Sequence, residues 1–145
     1  MPLVSQIFLK TGLIWLLISM GLVAVQHMIG AGWFEGPEAA LRILFYHTLT
    51  VGWITQIIIG VSIWMFPRYS RVNPRGPDTI WWSVYILLNA GMLIRIGIEP
   101  TGVFYHSTFW MLVLITGGWM KAIACLLYVT IIWQRIHNPK LKKTN

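Results

Sequence analysis

Three of the chain's four histidines lie in or beside long apolar stretches, where imidazole chemistry is restricted. An imidazole in an apolar segment has to be hydrogen-bonded, bound to a metal or reached by water. Imidazole nitrogen binds haem iron, copper and zinc, and a neighbouring thioether such as Met28 favours cuprous copper. The sequence therefore offers His27, His47 and His106 as candidate ligands, whereas His137, in a basic tail, is expected to be solvated.

The segments that carry these histidines are predicted to be membrane-spanning helices. Of 145 residues, 57% are hydrophobic and 10% are charged, whereas soluble domains have about 25% charged residues. About 20 mostly apolar residues cross a bilayer as a helix. We predict an all-α integral membrane protein of one domain, with spans at residues 11–32, 43–66, 79–98 and 103–133 and a basic tail at 134–145.

Short connections between the spans predict an up-down-up-down four-helix bundle. Cytoplasmic loops are enriched in Lys and Arg, and one side of the predicted bundle carries eight of the eleven basic residues. The other side has Arg42 and Arg95, and Lys121 falls inside a span. Both termini are therefore predicted to be cytoplasmic, in a bacterial inner membrane, and the net charge of +7 is not taken as a sign of nucleic-acid binding. The eight residues are Lys10, Arg68, Arg71, Arg75, Arg135, Lys140, Lys142 and Lys143.

His47 begins a spaced pattern in the second predicted span. It is followed by Gly52 and Trp53, then Gly60, then Pro67 and Arg68, which reads H-x4-G-W-x6-G-x6-P-R. This pattern resembles the haem-ligating helix of haem-copper oxidase catalytic subunits, especially the C-family oxidases and nitric oxide reductases.

In that family the helix begins His-x-His, where the first histidine holds the high-spin haem and the second the low-spin haem. His47 matches the second position, and Phe45, which cannot bind iron, occupies the first. The resemblance implies a low-spin haem b site at His47 and gives no support for an oxygen-reducing centre.

The predicted topology brings His27, His47 and His106 to a similar depth near the outer surface. Helices two and four would point the same way, so His47 and His106 would clamp a porphyrin between them, with His27 as the other choice of axial ligand. Copper or zinc held by the same three histidines is an alternative that the residues leave open.

The two outward arginines, Arg42 and Arg95, are at the right end of the bundle to pair with haem propionates. Contact with lipid headgroups, or pairing with the outward acids Glu38 and Glu99, is an equally open interpretation. Neither alternative can be chosen from the sequence.

A face of small residues on the second span would let a flat ligand or another helix approach closely. It contains Thr48, Gly52, Thr55 and Ser62, and Trp53 beside it would pack on a porphyrin or fill the core.

Lys121 is too deep in the fourth span to reach the surface easily. Gln56 and Asn89 are predicted at a comparable depth, so the three residues would form a structural polar network, a proton route or a quinone contact.

These patterns predict a membrane protein that binds haem b, in electron transfer or as an accessory to a respiratory oxidase or nitric oxide reductase. Expected partners are the lipid bilayer, oxidase subunits, a quinone or a cytochrome, and a second copy of the chain. Catalysis by this chain alone is not expected, because the first histidine of the His-x-His pair is missing. A copper or zinc protein and a structural subunit without cofactor are the alternatives.

Overall fold

The computed structural model of the protein describes residues 1–66, 76–101 and 106–136, and over these residues the chain is helical without a strand. Four helical stretches are long and apolar enough to cross a membrane. The prediction of an all-α protein with four membrane-spanning helices is confirmed at this level. The elements are α1 (Leu3–Gly30), α2 (Glu38–His47), a π-helix (Thr48–Thr55), α3 (Gln56–Met65), α4 (Asp78–Ile98), a 3₁₀ turn (Glu99–Thr101) and α5 (Thr108–Ile136).

The helix ends differ from those of the predicted spans, most clearly at the start of α1, and α5 begins at Thr108 instead of residue 103. The α1 helix begins at Leu3 and includes Lys10, which was predicted to precede the first span. A prediction from hydropathy stops at a charge, whereas a helix continues while its backbone hydrogen bonds are made. Residues 67–75, 102–105 and 137–145 lie outside the described part of the chain, and with them Pro67, Arg68 and His137 of the sequence predictions.

The α1 helix packs along the second span, which consists of α2, the π-helix and α3. The Ser5 hydroxyl donates to the Gly60 carbonyl, and at the other end the Gln26 amide donates to the Glu38 carbonyl at 3.5 Å. Residue numbers therefore rise along α1 as they fall along the second span.

One end of the bundle holds a continuous hydrophobic core, which we call the packed end. It is formed by the start of α1, the end of α3, the start of α4 and the last turns of α5. Arg135 is buried there and donates to the Ile63 and Phe66 carbonyls at 3.2 and 2.8 Å, so it satisfies carbonyls that the end of α3 would leave unpaired. The core residues include Val4, Phe8, Ile59, Ile63, Trp81, Val84, Leu88, Ala124, Ile131 and Ile132.

The opposite end, which we call the open end, is formed by α2, the last turns of α4 and the first turns of α5. No described residue of α5 before Gly117 is buried. At this glycine α5 meets α4 closely, because a Cβ added at Gly91 would lie 2.6 Å from the Gly117 carbonyl oxygen. The histidines singled out in the sequence belong to the open end.

Candidate functional site

His47 is the last residue of α2 and precedes the π-helix directly. It is half-buried, and its Nδ1 donates to the Ile43 carbonyl at 3.0 Å. A carbonyl can only accept, so the hydrogen is on Nδ1 and the lone pair is on Nε2. Metal-ligating histidines commonly have this arrangement, in which one nitrogen is fixed by a carbonyl and the other binds the metal.

The π-helix that follows His47 has eight residues and was not predicted. Its threonine hydroxyls bond to the backbone, with Thr50 donating to the Tyr46 carbonyl at 2.7 Å and Thr55 to the Thr50 carbonyl at 2.8 Å. Helical segments of this kind are rare and are frequently found at functional sites. His47, whose free Nε2 suits it to bind a metal, is therefore next to the π-helix, the least regular backbone of the second span.

Charged groups from α4, the 3₁₀ turn and α5 lie within electrostatic range of His47. Arg95 forms a two-point pair with Glu99, at 2.7 Å from Nε and 3.0 Å from Nη2, and the Glu99 side chain is only 7% exposed. Arg95, Glu99 and Lys121 lie close enough for their charges to act on the His47 imidazole. His47 therefore has charged groups from two other spans within electrostatic range, and one of them is Lys121, which the sequence grouped with Gln56 and Asn89.

Arg95 and Arg42 differ in their surroundings. Arg95 has Glu99 as its partner, which is one of the alternatives left open by the sequence. Arg42 is exposed on α2. Of the two arginines proposed for haem propionates, Arg95 is the one near His47.

The other candidate ligands are not gathered around His47. His27 is exposed, donates from Nδ1 to the Val23 carbonyl at 2.7 Å, and lines a groove of about 340 Å³ with Gln26 and Glu38. Since Gln26 contacts Glu38 at the start of α2, His27 is roughly 13 Å along the helix axis from the level of His47.

His106 is exposed just before α5, at the edge of the described residues. Within residues 1–66, 76–101 and 106–136, no three His, Cys, Asp or Glu side chains are grouped so that they would hold a metal ion. A site made by all three histidines stays a prediction.

The small-residue face of the second span is covered by α1. A Cβ added at Gly52 would lie 2.9 Å from Trp15 Cβ, so the indole of Trp15 occupies the space that the glycine leaves. Trp53, the next residue, is half-buried. A flat ligand bound at His47 would therefore not lie across Gly52.

Gln56 and Asn89 form a polar cluster with Trp15 in the middle of the bundle. The Trp15 Nε1 and Gln56 Nε2 both donate to Asn89 Oδ1 at 2.9 Å, while Asn89 Nδ2 donates to the Tyr85 carbonyl at 2.9 Å. Because indole is only a donor, this pattern fixes the orientation of both amides. Gln56 Oε1 is buried and has no partner in the described residues, and Lys121 makes no hydrogen bond to this cluster.

Sequence reasoning missed Trp15 and the proximity of the Arg95–Glu99 pair to His47. The pair itself was one of the open alternatives, and its four-residue spacing on one helix favours it. No comparable signal joins Trp15 to Asn89, because the contact depends on how α1 packs against α4.

No family model, curated protein or solved structure matches this chain. The resemblance to haem-copper oxidase subunits therefore depends only on the residues quoted around His47.

Proposed function

We propose that this multi-pass membrane protein holds a b-type haem at His47 and serves in electron transfer, or as an accessory to a respiratory oxidase or nitric oxide reductase. The observation that carries the proposal is the His47 imidazole, which is fixed through Nδ1 and has its Nε2 lone pair available beside a π-helix. The resemblance of the spacing after His47 to the low-spin haem helix of the oxidases supports the same ligand.

The proposal includes an up-down-up-down arrangement with both termini on the cytoplasmic side of a bacterial inner membrane. The contacts between α1 and the second span run in opposite order, which supports antiparallel neighbours. Thr11 contacts Tyr85 and Trp15 contacts Asn89, so α1 and α4 run in the same direction, as this arrangement requires. The distribution of basic residues supports the orientation. His47 would then lie in the outer half of the membrane.

The described residues place an axial ligand on one face of a haem only. His47 supplies one axial nitrogen, the half-buried site limits water, and the cations Arg95 and Lys121 are near enough to act on a bound group. The haem would supply one-electron chemistry, while the protein would hold it, orient it and set the charge around it. A quinone, a cytochrome or an oxidase subunit would be the electron partner.

An optical spectrum of the detergent-purified protein, oxidised and then reduced with dithionite, tests this proposal. We expect a Soret band, and sharp reduced α and β bands typical of low-spin haem require a second axial nitrogen, for which the proposal takes His106 or His27. His47→Ala should abolish the chromophore. His137→Ala is the control, because His137 belongs to the basic tail and is not among the proposed ligands.

Full haem content in the His47→Ala protein would remove His47 from the site. Metal analysis of the same samples addresses the copper and zinc alternative. A stoichiometric amount of either metal without haem would replace the haem proposal.

A structural subunit without cofactor is the second candidate, and the packing of Trp15 against Gly52 favours it. The face that would admit a flat ligand is filled by protein, and the polar cluster of Trp15, Gln56 and Asn89 joins three spans without help from a ligand. This candidate predicts a colourless, metal-free protein in which triple replacement of His27, His47 and His106 leaves folding unchanged.

A further inference from the structure

Lys121 lies near the middle of α5, about 20 Å along the helix from its first residue, Thr108. The side chain is half-buried, and its stem packs over α4, where a Cβ added at Gly91 would be 2.9 Å from Lys121 Cγ. An ammonium at this depth in a membrane is costly unless it has a counter-ion or water. Lys121 in its protonated form therefore needs a counter-ion or water at this depth.

The acids of the chain do not provide that partner. Lys121 makes no ion pair or hydrogen bond in the described residues, and the nearby Glu99 is already held at two points by Arg95. The chain has four acidic side chains in all. The other three are Glu35 and Glu38, which are exposed around the start of α2, and Asp78, at the far end of α4.

The direction of the Lys121 side chain points to where a counter-ion would sit. Side chains in an α-helix lean towards its N-terminus, which for α5 is the open end of the bundle. Lys121 therefore leans towards Arg95 and Glu99, whose charges act on it. Since Arg95 and Glu99 neutralise each other, a protonated Lys121 gives this group one excess positive charge.

We propose that Lys121 binds the carboxylate of an amphiphile that enters the open end of the bundle from the bilayer, with the Arg95 charge beside it. A carboxylate would give the ammonium the counter-ion that the chain lacks, through charge-assisted hydrogen bonds of the kind that are strong away from water. The indole of Trp110, which is 39% exposed and lies about three turns before Lys121 on the same face of α5, would face the apolar part of the ligand.

The carboxylate has two chemical sources, a haem propionate or a free fatty acid. The haem source rests on the proposed function, whereas the fatty acid source does not. A phospholipid phosphate is a poorer fit, because headgroups lie about 15 Å from the bilayer centre, near which Lys121 is placed.

Native mass spectrometry of the full-length protein identifies the ligand by its mass. The protein would be measured as purified and after titration with haemin or with oleate, in detergent. We expect the wild-type protein to bind one of the two, and Lys121→Gln to bind it about tenfold more weakly or less. Lys121→Arg should retain binding, and Lys10→Gln is the control for loss of a cation on an exposed helix surface.

The outcomes separate this inference from the proposed function. Haem that is present in the wild type and weakened in Lys121→Gln supports both. Haem bound equally by wild type and Lys121→Gln, without oleate binding, overturns the inference and leaves the haem proposal intact. Oleate binding that depends on Lys121, with no haem, supports the inference and removes the haem proposal, and binding of neither ligand overturns both.

A folding control keeps the test decisive. Lys121→Met keeps most of the apolar stem and removes the charge, so it should fold even if Lys121→Gln does not. Its elution volume in size-exclusion chromatography and its thermal transition should match those of the wild type while ligand binding is lost. Unchanged binding in a folded Lys121→Met protein overturns the proposal.

Discussion

At the packed end, four helices bury Phe8, Ile63, Trp81 and Ile131 against one another, whereas at the open end α5 buries nothing before Gly117. The polar groups differ in the same way. At the packed end the buried Arg135 donates to the carbonyls that end α3.

At the border of the open end Lys121 has no acidic partner among the described residues, and at the open end the His47 Nε2 carries a lone pair. The packed end is closed by its own side chains, whereas the open end leaves polar groups without a protein partner among the described residues, and both proposals concern those groups. Substitutions at the packed end should therefore change stability, and substitutions at the open end should change ligand binding.

The largest expected difference is between two tryptophans. Trp81 at the packed end is 1% exposed and belongs to the core, whereas Trp110 at the open end is 39% exposed. Trp81→Ala should lower the free energy of unfolding by about 3 to 5 kcal/mol, because it leaves a large cavity. Trp110→Ala should have little effect on it.

The thermal transition of both tryptophan variants is measured in detergent, with the amount of folded protein read from its elution in size-exclusion chromatography. Equal destabilisation by the two variants would mean that the open end is as well packed as the other.

A smaller effect is expected where α4 and α5 meet, at the border between the ends. Gly91→Ala would place a methyl group 2.6 Å from the Gly117 carbonyl oxygen, so the helices must separate. We expect a loss of about 1 to 3 kcal/mol, as in other overpacked sites. Gly118→Ala is the control, since nothing lies within 4 Å of its added methyl group.

Stability of these two glycine variants and binding of haemin or oleate should be measured together. Gly91→Ala should also weaken ligand binding, because it displaces the stem of Lys121. A Gly91→Ala protein as stable as Gly118→Ala would show that the helices do not depend on this contact.

The smallest effect is predicted for Gln56, in the polar cluster between the two ends. Gln56→Leu removes the hydrogen bond to Asn89, but it also removes the buried Oε1 that has no partner in the described residues. The two contributions oppose each other, so the free energy of unfolding should change by less than about 1 kcal/mol.

Asn89→Leu provides the comparison for Gln56→Leu, because it leaves both Trp15 and Gln56 without their acceptor. It should be clearly more destabilising in the same thermal assay. The opposite order would indicate that a water or another group satisfies Gln56 Oε1.

The four helices could be predicted because apolar stretches of that length have few alternatives to helix in a bilayer. The placement of His47 within the second span could also be predicted from the apolar residues that follow it. The level of His27 relative to His47 was not, because it depends on how far α1 slides along the second span. That offset is fixed by contacts such as Gln26 with Glu38, which have no local sequence signature.

Contacts between spans account for the rest of what the sequence could not provide. The assignment of Lys121 to the group of Gln56 and Asn89 followed from equal depth alone. Its actual neighbours, Arg95 and Glu99, lie on the side of α5 that packs over Gly91. Depth in the membrane can be estimated by counting residues, whereas the facing direction of a helix requires knowledge of its partners.

The π-helix has a consequence for any attempt to shorten or graft the second span. An α-helix turns by about 100° per residue, since 3.6 residues make one turn. Converting Thr48–Thr55 to a regular α-helix without deleting a residue would rotate α3 relative to α2 by about that angle, because the wider π-turns hold about one extra residue. His47 would then keep its direction only if Gln56 lost its contact with Asn89. The directions of His47 and of the polar cluster are therefore coupled, because the π-helix between them sets the rotation of α3 relative to α2.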